Sequence, residues 1–158
     1  GMSMEIGDLV SRDGIVLRGS VSSKRQALQA VADAAAHVLG HADAAPLMDA
    51  LMEREALGST GVGSGVALPH ARHRDVDHVF AVLVRLETPI AFDAVDDRPV
   101  DILFGLFAPP SDGAGHLRAL AAASRALRSP DLQQRLRQAD SRDTLHALLV
   151  RQIVSTAA

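Results

Sequence analysis

The stretch Val79-Phe80-Ala81-Val82-Leu83-Val84 decides the fold of this sequence of 158 residues. It is apolar at every position, so both faces of a strand formed by it would be buried, as in the centre of a sheet covered on two sides. The stretch Ile102-Leu103-Phe104-Gly105-Leu106-Phe107 has the same character and ends at two prolines. We therefore expect two central strands, with shorter strands at residues 15–17, 66–68 and 90–92.

Helical patterns surround these strands. Ser23 and Gln26 form a capping-box pattern before a first helix, and Gly40 suits its end. A second helix is expected over residues 46–57, with four apolar residues facing inward: Leu47, Ala50, Leu51 and Leu57. Three more are expected from about residue 115, from residue 129 and from residue 141. The first of these three would bury a face of Leu117, Leu120, Ala121, Ser124 and Leu127.

This order of elements defines the expected architecture. Two strands buried on both faces need helices above and below them, which predicts a three-layer α/β/α sandwich with a mixed central sheet. The length suits one domain over residues 1–158, in which Gly1 resembles a cloning remnant. Nothing in the sequence suggests a linker or repeat that would divide it.

Composition excludes several classes of function. The formal net charge is −3 and aromatic residues make up 3%, which disfavours nucleic-acid binding by a basic field or by base stacking. No apolar stretch approaches the roughly 20 residues of a membrane span. The absence of cysteine excludes disulfides and thiolate metal clusters and suits a cytoplasmic location, which we expect because no leader pattern opens the chain.

The chemistry concentrates between residues 54 and 73. Four glycines between residues 58 and 65 predict a loop with unusual backbone angles that lets another molecule approach closely. His70 follows this loop, a short strand and Pro69, and sites in α/β sheets lie at the carboxyl ends of strands. Arg54 precedes the loop, and His116 follows the second central strand in the first turn of a helix.

Three kinds of site could be formed by this segment: a nucleotide-binding loop, a metal site or a nucleophilic histidine. A nucleotide-binding loop fails because no lysine follows the glycines and position 66 is valine. A metal site would draw on His70, His73, Asp75, Asp77 and His78, although the last four are equally suited to a solvated loop. A nucleophilic histidine needs a neutral imidazole, a guanidinium and amide donors, which His70, Arg54 and the glycine loop could provide.

Structural roles remain open for two of these side chains. Arg54 could serve only as a cation in the last turn of its helix, where it suits the helix dipole. His116 could be a solvent-exposed residue at a helix start. Spacing alone does not choose between these roles and phosphate binding.

The run from Arg54 to His70, Arg-Glu-Ala-Leu-Gly-Ser-Thr-Gly-Val-Gly-Ser-Gly-Val-Ala-Leu-Pro-His, resembles a known signature. It is similar to the active-site segment of enzyme IIA domains of the fructose/mannitol class (type 2) in the phosphoenolpyruvate-dependent sugar phosphotransferase system. Residues 86–93 and 99–104 resemble the nitrogen-regulatory branch in particular. The resemblance extends from about residue 5 to residue 150.

The resemblance implies a phosphohistidine relay without a cofactor or a metal. Nε2 of His70 would accept a phosphoryl group from an HPr-type histidine phosphocarrier, which is itself charged by an enzyme I that uses phosphoenolpyruvate. Arg54 and His116 match the other two active-site residues of the family. Loop amides would complete the phosphate site, at Gly61, Gly63, Ser64 and Gly65.

The same resemblance leaves three roles open. In the nitrogen-regulatory branch the phosphorylation state controls partner proteins, which is the role we expect here. A sugar-uptake protein would instead pass the phosphoryl group to a IIB domain, and a non-catalytic interaction protein would keep only a vestigial site. Ala71 and Arg72 stand where glycine and lysine are common, which affects the partner-facing rim. Val62 and Leu68 are candidates for the docking surface.

Overall fold

The computed structural model describes the backbone of residues 4–157 and the side chains of residues 4–151. Gly1 lies outside the described residues. A short helix that was not predicted comes first, and the elements after it follow the predicted order of a strand, two helices, several strands and three helices. The described elements are α1 (Ile6–Leu9), β1 (Val10–Arg18), α2 (Lys24–Leu39), α3 (Ala45–Glu55), β2 (Gly61–Gly63), β3 (Val66–Ala67), β4 (His70–Arg72), β5 (Phe80–Ile90), β6 (Val100–Ala108), α4 (Gly113–Leu127), α5 (Pro130–Gln138) and α6 (Arg142–Ala157).

The strands form one mixed sheet in the order β1-β5-β6-β3-β2, with β4 also paired to β6. The two long strands β5 and β6 are antiparallel, whereas β3 and β4 both run parallel to β6. Val66 lies opposite Ile102 and His70 lies opposite Leu106, so β3 and β4 follow one another along the same edge of β6. This register places His70 near the carboxyl end of β6.

The central strands bury both of their faces, as their composition predicts. Val82, Val84 and Leu103 belong to a core shared with α2 and α3, while Leu83 and Phe104 belong to a core shared with α1, α4, α5 and α6. A Cβ on Gly105 would overlap the side chain of Val31, so a glycine is required where α2 approaches the sheet. The three-layer α/β/α sandwich is confirmed.

Local capping signals account for the ends of α2. The Ser23 hydroxyl accepts a hydrogen bond from the Gln26 amide at 3.1 Å, and the Gln26 side chain accepts one from the Ser22 amide at 2.8 Å. Gly40 ends the helix in the left-handed conformation, with φ at 73°. The Ser23 cap and the Gly40 stop are confirmed, whereas Gln26 reaches back to the Ser22 amide and not to the Ser23 amide of a regular capping box.

The predicted burial of two leucines is wrong. Leu57 is 83% exposed because α3 ends at Glu55, two residues earlier than expected, so Leu57 no longer follows the helical face. Leu117 is 70% exposed and Ala121 is also exposed, because α4 turns another face to the sheet. That face contains Gly115, His116, Ala119, Ala122, Ala123 and Leu127.

Two predictions about loop structure also need correction. Residues 61–63 form a short strand paired with β3, although the glycines were expected to prevent regular structure. The expected unusual angles are present at Gly63, Ser64 and Gly65, whose φ values of 100°, 57° and 79° form the turn between the two strands. His70 begins β4 and does not simply follow a strand.

No helix among the described residues is long and apolar enough to cross a membrane.

Candidate active site

Three elements meet at His70. β4 begins there beside the carboxyl end of β6, α3 contributes Arg54 from its last turn, and α4 contributes His116 from its first turn. The chain between β6 and α4 turns at Pro109 and Pro110, which brings the start of α4 back over the end of the sheet. The predicted trio of Arg54, His70 and His116 is therefore brought together by the fold.

The hydrogen bonds of His70 fix its tautomer. Nδ1 lies 2.8 Å from the Leu68 carbonyl oxygen, which can only accept, so Nδ1 carries the proton. Nε2 lies 3.2 Å from Nε of Arg54, which can only donate, so Nε2 presents its lone pair. Leu68 is buried, so it contributes its carbonyl here and is not part of a docking surface as was suggested.

The environment favours the neutral form of His70. Burial lowers the pKa of His70 below its usual 6.5, and the positive charge of Arg54 acts in the same direction. The hydrogen bond to Leu68 and the negative charge of Glu55 oppose this shift. The result is an imidazole that is unprotonated at Nε2 at neutral pH.

Arg54 is held by neutral groups. Its Nη1 donates to the carbonyl oxygen of Gly58 at 2.9 Å, while its Nε donates to His70. No carboxylate within the described side chains lies at ion-pair distance from it. Its charge is therefore available to an anion that enters beside His70.

His116 packs edge-on against His70, with ring centroids 5.2 Å apart. It is only 8% exposed, which excludes the alternative of a solvent-exposed residue, and its Nε2 is buried without a hydrogen-bond partner among the described residues. Burial, His70 and Arg72 together lower the pKa of His116 to about 4. His116 is thus neutral at neutral pH and retains one N–H group to donate.

These side chains line an open depression of about 740 Å³. Its walls combine cations with apolar residues and include Ala50, Glu53, Arg54, Leu57, His70, Ala71, Arg72, Pro110, Gly113, His116, Leu117 and Leu120. Leu57 and Leu117, the two leucines that were wrongly predicted to be buried, lie at the exposed rim of this depression. A pocket with exposed apolar walls around a charged centre suits a transient protein contact.

Arg72 was predicted only to affect the partner-facing rim, and its place in the site beside His70 was missed. It lines the depression and its guanidinium lies against Gly113 at the start of α4. A signal was available, because residues two apart on a strand share a face and Arg72 is two residues beyond His70. The site therefore contains two guanidinium groups, from Arg54 and Arg72.

The structure does not bring the glycine hairpin to His70. The positions on β6 opposite Val66 and His70 are four residues apart, which is roughly 13 Å along the strand. The turn residues lie beyond Val66, on the side away from His70. The Ser64 amide donates to Asp96 at 2.9 Å, and the Gly61 amide donates to the Ser59 hydroxyl at 3.1 Å. Gly61, Gly63, Ser64 and Gly65, expected to bind phosphate, thus lie outside the depression.

The other histidines and acids of the metal interpretation form separate pairs. His73 lies 3.6 Å from Asp75, and His78 lies 2.6 Å from Asp77. Among the described residues no three such side chains come together in a way that could hold a metal ion.

Known proteins resemble this chain over most of its length. The family model for the phosphoenolpyruvate-dependent sugar phosphotransferase system, EIIA 2, matches residues 8–152. A nitrogen regulatory protein from Bradyrhizobium diazoefficiens is 40% identical over 146 residues, which cover 92% of this chain and 95% of the relative. A fructose-specific EIIA component from Haloferax volcanii is 33% identical, over 92% of this chain and 94% of the relative.

A solved structure shows the same fold. The nitrogen regulatory protein IIA-Ntr from Neisseria meningitidis superposes with a TM-score of 0.83 at 30% identity, covering 91% of this chain and 98% of that one. Fold and matched length define a component of a phosphotransferase system. The chain belongs to the EIIA type 2 family, and its relatives confirm the predicted resemblance to the nitrogen-regulatory branch.

Proposed function

We propose that His70 accepts a phosphoryl group from an HPr-type histidine phosphocarrier, and that the phosphorylation state of this protein regulates partner proteins. The observation that carries the proposal is the orientation of His70. Its Nδ1 proton is held by the Leu68 carbonyl, while the lone pair of Nε2 faces Arg54 in an open depression. An imidazole with this tautomer can act as a nucleophile through Nε2 once Arg54 releases that lone pair.

The transfer balances without a further reactant. Nε2 of His70 would form a bond to phosphorus as the bond between phosphorus and the carrier's imidazole nitrogen breaks, and that nitrogen recovers its electron pair. The proton stays on Nδ1 of His70 throughout, donated to the Leu68 carbonyl oxygen. Because Arg54 now bonds Nε2, its guanidinium would move from the ring nitrogen to the phosphoryl oxygens.

The neighbouring side chains can stabilise the transferred group. Arg54 and Arg72 would neutralise its charge, and His116 would donate a hydrogen bond from its neutral ring. A phosphoryl oxygen would also give a partner to the buried ring nitrogen of His116. The proposal leaves out the amides of the glycine hairpin, which contact Ser59 and Asp96.

A labelling experiment tests the proposal. The protein, an enzyme I and an HPr-type carrier are incubated with phosphoenolpyruvate carrying labelled phosphate, and incorporation is measured over time. We expect one label per chain in the wild type and in the matched control His73→Ala, whose side chain pairs with Asp75. We expect none in His70→Ala. Equal labelling of His70→Ala would contradict the assignment.

Transfer to a sugar-specific IIB domain is the second candidate function, favoured by the fructose-specific relative at 33% identity. Phosphorylated protein would be mixed with a IIB domain, and loss of label from His70 would be followed. Efficient transfer would support the sugar-uptake role over regulation alone. Partner binding that ignores phosphorylation would instead indicate a vestigial site. The single domain over residues 1–158 and the cytoplasmic location stay predictions.

A further inference from the structure

We propose that Glu55 is a positioning residue, whose buried carboxylate holds Arg54 and His70 in register through Thr60. The inference rests on the proposed function, since it concerns the geometry of the same phosphoryl-accepting site. Glu55 ends α3 and is 8% exposed, directly after Arg54. Its side chain faces away from the depression, whose walls do not include it.

The carboxylate of Glu55 closes the loop that follows α3. One oxygen accepts a hydrogen bond from the Thr60 amide at 2.8 Å, and the other accepts one from the Thr60 hydroxyl at 2.7 Å. Thr60 is itself buried, so these bonds join two fixed points five residues apart. The residues between them, 56–59, form a closed loop.

This closed loop positions Arg54. The carbonyl oxygen of Gly58 lies within the loop and accepts the bond from Nη1 of Arg54 at 2.9 Å. The Gly58 amide also donates to the Glu55 carbonyl oxygen at 3.1 Å. The closed loop fixes the position of the Gly58 carbonyl oxygen. Because Nη1 of Arg54 is bonded there, Nε of Arg54 is directed to His70. With the loop open, the guanidinium would lose this anchor.

The same carboxylate also reaches His70 by the opposite route. The carbonyl oxygen of Thr60 accepts a hydrogen bond from the Leu68 amide at 2.9 Å. The Leu68 carbonyl oxygen in turn holds Nδ1 of His70 at 2.8 Å. Glu55 therefore sits at the meeting point of two short chains of bonds, one ending on Nε of Arg54 and the other on Nδ1 of His70.

Lys24 supplies a cation to the buried carboxylate of Glu55. Its ammonium lies 2.9 Å from Glu55, and it also lies over the ring of Phe92 at 4.7 Å from the centroid. Burying a carboxylate is costly unless a cation and hydrogen-bond donors pair with it, and Glu55 has both. Lys24 begins α2, so the contact also ties α2 to the loop after α3.

Three substitutions separate positioning from charge. Glu55→Ala removes the loop closure, and Thr60→Val removes only the hydroxyl bond. Glu55→Gln can still accept from the Thr60 amide and donate to its hydroxyl, so it should rescue the geometry while removing the charge. We expect the labelling rate to fall about tenfold or more in Glu55→Ala, less in Thr60→Val, and to recover in Glu55→Gln.

Spectroscopic signals of the unphosphorylated protein report the geometry directly. The Nε–H proton of Arg54 and the Nδ1–H proton of His70 should be protected from exchange in the wild type and in Glu55→Gln, and lost in Glu55→Ala. The charges of Arg54 and Glu55 from α3 act on His70, although Glu55 lies outside the depression, while Glu53 from α3, Arg72 on β4 and His116 from α4 line the depression with it. The charge of Glu55 raises the pKa of His70. His70 should therefore titrate at lower pH in Glu55→Gln than in the wild type.

Asp101→Asn is the matched control. Asp101 is also a carboxylate that holds an arginine, since it accepts from Nε of Arg137, but it does so at the glycine hairpin and away from the depression. We expect it to leave both protected protons and the labelling rate unchanged.

Wild-type labelling in folded Glu55→Ala and Thr60→Val would overturn the inference. So would slower labelling with both protons still protected. If Glu55→Ala does not fold, Thr60→Val and Glu55→Gln decide by the same readouts. Failure of the wild type to be labelled would instead contradict the proposed function, and the protected protons would still test the positioning role.

Discussion

Two arginines at opposite ends of the same strand edge have contrasting partners. Arg137, beside the glycine hairpin, binds both oxygens of Asp101 at 3.0 Å and the carbonyl oxygen of Ser64. Arg54, beside β4, binds a carbonyl oxygen and a ring nitrogen. One guanidinium is neutralised by an acid, whereas the other keeps its charge next to an open depression.

This difference separates a structural arginine from one available for chemistry. Nε of Arg137 is shared between the two oxygens of Asp101, while its Nη2 donates to the Ser64 carbonyl oxygen in a turn whose Gly65 has φ at 79°. A Cβ at Gly65 would overlap Arg137, so the glycine serves the close approach of this side chain. The glycine-rich motif thus divides into an end that builds the hairpin and an end that leads to His70.

The largest difference should appear when each of the two arginines is replaced by glutamine in a separate variant. In Arg54→Gln we expect the labelling rate to fall by about 10² to 10³, because the charge that stabilises the transferred phosphoryl group is lost. In Arg137→Gln we expect an unchanged rate and a loss of about 1–3 kcal/mol in the free energy of unfolding, because Asp101 loses its partner. Rates come from labelling and stabilities from urea titration. Similar rate losses in both variants would remove the distinction.

A smaller effect is expected from pH. Because burial lowers the pKa of His70 below 6.5 and that of His116 to about 4, the folded protein binds fewer protons than the unfolded chain just below pH 6.5. Stability should be complete above pH 6.5 and should decline as the pH falls towards 4. The labelling rate should fall about tenfold per unit once the pH is below the pKa of His70.

Titration of the ring protons by NMR, with urea midpoints at several pH values, checks these expectations. The control is His116→Gln, which should reduce the decline of stability below pH 6.5. Arg54→Gln should raise the pKa of His70, since the guanidinium charge lowers it in the wild type. A His70 that titrates above pH 6.5 in the wild type would contradict the assigned environment.

Local signals in the sequence were sufficient for much of the fold. The Ser23 cap, the Gly40 stop and the apolar runs of β5 and β6 depend on near neighbours, and all three were predicted. The candidate trio was found through its motif. The glycine hairpin was misplaced because its distance from His70 depends on how β3 and β4 share the edge of β6, which is a long-range feature.

The same reason explains the errors in burial. Helical spacing allowed two apolar faces for α4, and only its packing on the sheet selects the face with His116. Leu57 and Leu117 were placed on inward faces from helical spacing. Both are exposed at the rim of the depression, where apolar side chains are available to contact another protein.

The smallest expected effect concerns this rim. Leu57→Ser and Leu117→Ser should raise the carrier concentration needed for half-maximal labelling several-fold and leave the rate at saturation unchanged, because exposed apolar residues around a site contribute contact area and no chemistry. Stability should not fall, since both side chains already face solvent. Val95→Ser is the control, because Val95 is equally exposed but lies outside the depression. An equal loss in Val95→Ser, or a lower saturating rate in the leucine variants, would assign the docking surface elsewhere.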